Sequence, residues 1–123
     1  MLSQKIKELA AKYSQEFIGV RHHLHANPEL SYKEYKTSKF VQEKLKSIGI
    51  PFQIMADTGV VGIIEGKDPS SRIIALRADM DALPVGERVN IPFASKVTAE
   101  YNGQKVGVMH ACGHDAHTAM LMG

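Results

Sequence analysis

The 123-residue chain has one cysteine, no tryptophan and only 7% aromatic residues. One cysteine cannot close a disulfide within the chain, so no covalent scaffold substitutes for a core, and a reducing cytoplasm is the expected compartment. No apolar run approaches the ~20 residues that span a bilayer. The opening Met1-Leu2-Ser3-Gln4-Lys5 leads into a charged amphipathic stretch rather than an apolar signal core, and no membrane partner is expected. An excess of one charge is also lacking. Fifteen Lys and Arg against thirteen Asp and Glu leave a formal +2, and the basic residues are scattered, so no nucleic-acid partner is expected either. What remains is ordinary: 44% hydrophobic and 23% charged residues, the balance of a globular domain and not of a disordered chain.

The hydrophobic period divides the chain into an α/β pattern of two helices, about four strands and the start of a third helix. Ile6, Leu9, Ala10, Tyr13, Phe17, Val20 and Leu24 recur every three or four residues and predict a helix from residue 3 to about 26. Pro28 interrupts that pattern. Ser31 and Glu34 have the spacing of a capping box for a second helix. Its buried face is expected to be Tyr35, Ser38, Val41, Leu45 and Ile48, with Gly49 as its stop. Pro51 to Ala56, Val60 to Glu65, Arg72 to Ala78 and Lys105 to Met109 then read as strands. Ile73-Ile74-Ala75-Leu76 is continuously apolar, as a central strand covered on both faces would be. Asn102-Gly103 marks a turn, and a helix is expected from about Asp115. The chain ends about two turns into that helix, which predicts that it is the first part of a larger domain.

Two polar clusters follow apolar strands, where ligands bind in open α/β sheets. The first is Arg77-Ala78-Asp79-Met80-Asp81-Ala82-Leu83-Pro84. The second is Met109-His110-Ala111-Cys112-Gly113-His114-Asp115-Ala116-His117, which gathers three of the six histidines and the only cysteine. Gly113 permits a sharp turn that could aim the Cys112 thiolate and the His114 imidazole at one cation. Asp115 could serve as an acceptor that fixes a ligand histidine's tautomer, and Asp79 and Asp81 could bind metal or orient a histidine. Other readings compete. Cys112 could be a small core residue or a nucleophile, Asp79 and Asp81 turn formers, and His110 and His117 structural. His22, His23 and His25 are expected to act at the end of the first helix, on its caps or dipole.

Three blocks carry a family resemblance: Arg21-His22-His23-Leu24-His25-Ala26-Asn27-Pro28-Glu29-Leu30, Ala75-Leu76-Arg77-Ala78-Asp79-Met80-Asp81-Ala82-Leu83-Pro84, and Met109 to Thr118. In this order they resemble the metal-dependent amidohydrolases, which include hippurate hydrolases, N-acyl-amino-acid amidohydrolases and auxin-conjugate hydrolases. The resemblance implies the N-terminal part of a three-layer α/β/α catalytic domain that holds two divalent metal ions, manganese or zinc. Cys112 and His114 match two metal ligands, and Asp81 matches the catalytic-site acid that supports the metals. Where distant relatives place a ligand histidine, this chain has Asp79. The family's glutamate pair, its further ligand histidines and its lid or dimerisation domain have no counterpart in residues 1–123. The implied reaction is hydrolysis of an N-acyl amino acid, a small-molecule substrate, by a complete protein that could be a homodimer. From another class, the alternative is a non-catalytic fragment or weak metal-binding module.

Overall fold

A computed structural model describes residues 1–123. Helix α1 spans Leu2–Ala26 and α2 spans Tyr35–Ser47. Four short strands follow, β1 (Phe52–Met55), β2 (Gly59–Gly62), β3 (Thr98–Tyr101) and β4 (Gln104–Gly107), and then α3 (His114–Met122). The core lies where α1 crosses α3. Val20 and Leu24 meet Ala119 there, ringed by Phe17, Phe40 and Met122. The apolar stripe of α1 is therefore only half used. Its C-terminal part is buried, whereas Ile6, Leu9 and Tyr13 stay exposed because no element packs on them.

Helix α2 is built differently from its sequence pattern. The Ser31–Glu34 capping box does not form. Glu34 instead accepts the Tyr32 N–H and the Thr58 hydroxyl, both at 2.9 Å, which ties it to the β1–β2 loop. The first turn of α2 is capped by Glu29, whose carboxylate accepts the N–H of Lys36 and the N–H and hydroxyl of Thr37. A carboxylate suits the positive end of the helix and satisfies two of its orphan donors. With the helix anchored this way, Thr37, Ser38 and Val41 are buried, and Tyr35 and Ile48 face outward, contrary to the expected face. Gly49 closes the helix with φ +77°.

The strands form two separate antiparallel hairpins. β1 pairs with β2 from Phe52↔Gly62 to Met55↔Gly59, and β3 with β4 from Thr98↔Gly107 to Tyr101↔Gln104. The second hairpin turns at Asn102-Gly103, both at positive φ, the geometry that matches strand twist. Its first strand, β3, is not among the expected strands. The expected Arg72–Ala78 strand is absent. Ile73 is 92% exposed, Ile74 75% and Leu76 77%, and no segment of the chain pairs with them. The reason is physical: a strand buried on both faces needs neighbours on both edges, and residues 1–123 supply none.

Two isolated bridges assemble the polar clusters. The Ala82 N–H donates to the Glu29 carbonyl at 2.8 Å in a parallel bridge of Leu30 with Ala82. Leu83 and Met109 exchange both backbone bonds, at 2.9 and 3.0 Å. This last pairing sets the loop carrying Asp79 and Asp81 beside the one carrying Cys112 and His114.

Candidate metal centre

Gly113 adopts φ +131°, a conformation that side chains rarely tolerate, and its carbonyl accepts the His117 N–H at 3.0 Å. Helix α3 thus begins immediately after the glycine, with His114 and His117 one turn apart on one face. Asp79 faces both. Its Oδ1 lies 2.7 Å from His117 Nδ1 and its Oδ2 lies 3.3 Å from His114 Nε2. One ligand atom from each of Asp79, His114 and His117 falls within 4.8 Å of the others. The Thr118 hydroxyl donates to the Asp79 carbonyl at 2.8 Å and fastens the loop to α3. The His117 hydrogen bond, with the nearby imidazole of His114, holds the Asp79 carboxyl below the usual aspartate range, against the opposing effect of burial.

Asp81 fixes the other side of His114. His114 Nδ1 is 2.9 Å from Asp81 Oδ1 and 3.0 Å from the Asp81 carbonyl, and both partners can only accept. Nδ1 therefore carries the proton, and in the neutral ring the lone pair of Nε2 points at the Asp79 carboxylate. Two electron-rich groups converge there at 3.3 Å, an arrangement satisfied by a proton or a cation. The donor set, one carboxylate and two imidazoles, fits a divalent metal.

Cys112 is exposed, two residues before His114, and lies outside this trio. Asp115 does not orient a ligand histidine; that partner is Asp81. Asp115 is 1% exposed and turns the other way, where its Oδ2 receives His25 Nδ1 at 2.7 Å and Arg21 Nε at 2.9 Å. Both Glu87 oxygens lie 3.1 Å from His25 Nε2, and Glu87 also accepts the Ser95 N–H at 2.6 Å. Burial pushes the carboxyls of Asp115 and Glu87 up. His25 with the Ala116 N–H outweighs that for Asp115, and the Ser95 N–H with His25 does so for Glu87, so both sit below their ordinary values. The histidines of α1 are thus more than helix-end charges: His25 joins two carboxylates, His22 stacks on Phe93 at 3.7 Å and His23 on Phe40 at 4.2 Å. His110 is buried with no partner for either ring nitrogen, and burial lowers its pKa.

Sequence reasoning singled out Cys112, His114 and Asp81, and left Asp79 and His117 unassigned as ligands. The crowding of three histidines into eight residues was the available signal for His117. For Asp79 it was the two-residue spacing from Asp81, which sends the two carboxylates to the same histidine.

Residues 75–123, which hold both motif loops, match the family model of peptidase family M20/M25/M40. The resemblance to the metal-dependent amidohydrolases holds, and it extends beyond that segment to nearly the whole chain. The chain is 48% identical to a thermostable carboxypeptidase 2 of Saccharolobus solfataricus, with 99% of the chain and 29% of that protein covered. It is 46% identical to an N-acyl-L-amino acid amidohydrolase of Geobacillus stearothermophilus, with 100% and 31% covered. Among solved structures, a Bacillus subtilis dinuclear metal binding peptidase of the M20 family superposes with a TM-score of 0.79 at 40% identity, over 91% of this chain and 30% of that one. The α/β fold class is that of this family. The chain spans about 30% of the length of these relatives.

Proposed function

We propose that the protein to which residues 1–123 contribute is a metal-dependent amidohydrolase acting on N-acyl amino acids. The observation that carries this reading is the convergence of His114 Nε2 and Asp79 Oδ2 on one point, with His117 beside them and Asp81 holding the far side of the ring. A divalent cation bound there would supply Lewis acidity and a water acidic enough to attack an amide carbonyl. His114 and Asp79 would hold it, with His117 and Cys112 as the adjacent donors. A thiolate and imidazoles suit zinc, and the carboxylate admits manganese.

The names of the two relatives share one chemistry. A carboxypeptidase and an N-acyl amino acid amidohydrolase each cleave an amide whose nitrogen belongs to an amino acid. In this reading Asp79, His114 and His117 bind the cation and Asp81 orients His114. The resemblance implies a proton-accepting glutamate, and this residue has no counterpart in residues 1–123. The fragment alone would then bind metal weakly and lack turnover. The lone cysteine supports a reducing, cytoplasmic setting. A homodimeric complete protein with a small-molecule substrate is part of the same reading.

The test is release of free amino acid from N-acetyl and N-benzoyl amino acids by the intact protein, with and without chelator. Loss of release on chelation, with restoration by manganese or zinc, is expected. Undiminished turnover in metal-free buffer would overturn the proposal.

A further inference from the structure

The four residues Arg21, His25, Glu87 and Asp115 form a chain of polar contacts that the proposed chemistry does not use. Asp115 occupies the first turn of α3, between His114 and His117. Its Oδ1 accepts the Ala116 N–H at 2.9 Å, and its Oδ2 takes both Arg21 and His25 of α1, so neither oxygen is free to rotate. His25 then reaches Glu87, which is itself pinned by the Ser95 N–H.

The need for such an anchor is visible in α3 itself. The helix is nine residues long and has no side-chain cap, and helices this short are marginal on their own. Its face toward α1 offers Asp115 and Ala119, whereas His114, His117 and the Thr118 hydroxyl point to Asp79. A slip of one residue turns a helix by about 100° and would carry both imidazoles away from Asp79. Apolar contacts such as Ala119 on Val20 tolerate that slip better than directional bonds do. Buried ion pairs contribute little net stability, and setting register is their best-attested use.

We infer that Asp115, held by Arg21 and His25 with Glu87 behind them, is a positioning residue that sets the rotation of α3 and so aims His114 and His117 at Asp79. This inference rests on the metal reading above. The experiment is titration of the metal-stripped intact protein with Co2+, following its visible absorption. It compares the unaltered protein with Asp115→Asn, Glu87→Gln and Val41→Ala. Val41→Ala destabilises α2 without touching the network and reports what stability loss alone does.

The expected result is Co2+ binding weakened about tenfold or more in Asp115→Asn, with an altered absorption spectrum. A smaller weakening in the same direction is expected for Glu87→Gln, and unchanged affinity and spectrum for Val41→Ala. Should Asp115→Asn fail to fold, Glu87→Gln decides the matter. Unaltered affinity and spectrum in every network variant that folds would overturn the inference alone. Failure of the unaltered protein to bind Co2+ would overturn the metal reading and this inference with it.

Discussion

The molecule holds two acid–histidine clusters within one short stretch of α3, and they are opposites. Asp115 and His25 are almost fully buried, and every polar atom of the pair has a partner. Asp79, His114 and His117 are partly or largely open, and His114 Nε2 faces a carboxylate oxygen at 3.3 Å, a gap that a proton or a cation can fill. A saturated cluster can do nothing further, so its use is to hold. An unsatisfied, accessible one can take a ligand. The same residue types thus serve as scaffold and as site, and the difference is made by burial and by which atoms remain unmatched.

The largest expected effect breaks the scaffold side. Asp115→Ala strands Arg21 and His25 without their carboxylate and should cost about 3–5 kcal/mol in chemical denaturation, the scale for one partner removed from a buried pair. Asp79→Asn tests the open side. Chemical denaturation should show a stability change within about 0.5 kcal/mol, while metal affinity measured by calorimetry falls at least about 100-fold, beyond the effect of losing an outer partner. Equal damage to stability from both substitutions would erase the contrast.

His110 sharpens the contrast from a third direction, since it is as buried as His25 but has no hydrogen bond. His110→Leu should leave stability unchanged or raise it by about 1 kcal/mol, because an unsatisfied buried polar group is removed. The smallest effect concerns acid. Glu87 is held below its ordinary 4.5 when folded, so its contribution is complete above that pH and is lost as pH falls through the folded value. Melting temperatures of Glu87→Gln should therefore decline less steeply on acidification below about pH 4.5 than those of the unaltered protein.

What could be read from the sequence was whatever depends on neighbours along the chain. The extents of α1 and α3, the Asn102-Gly103 turn and the turn at Gly113 all follow from local period or from one glycine. The Cys112–His117 motif also came from local spacing, whereas Asp81 as the acid of the site came from the family resemblance. What escaped depends on partners far away. Glu29 displaced Ser31 as the cap of α2 because the fold brings its carboxylate to Thr37, eight residues on. Ile73 to Leu76 has the composition of a central strand, but composition cannot supply the strands that would flank it. Asp115 was read as a possible partner of a ligand histidine nearby, because His25, ninety residues earlier, is invisible to spacing.

That separation also has a consequence in time. On a ribosome adding about 5–20 residues per second, roughly 5–18 seconds elapse between the synthesis of His25 and that of Asp115. During that interval Val20 and Leu24 lack the cover that Ala119 gives them. The clasp between α1 and α3 can close only once Asp115 has been made, so the end of α1 waits for a partner that its own stretch of sequence does not contain.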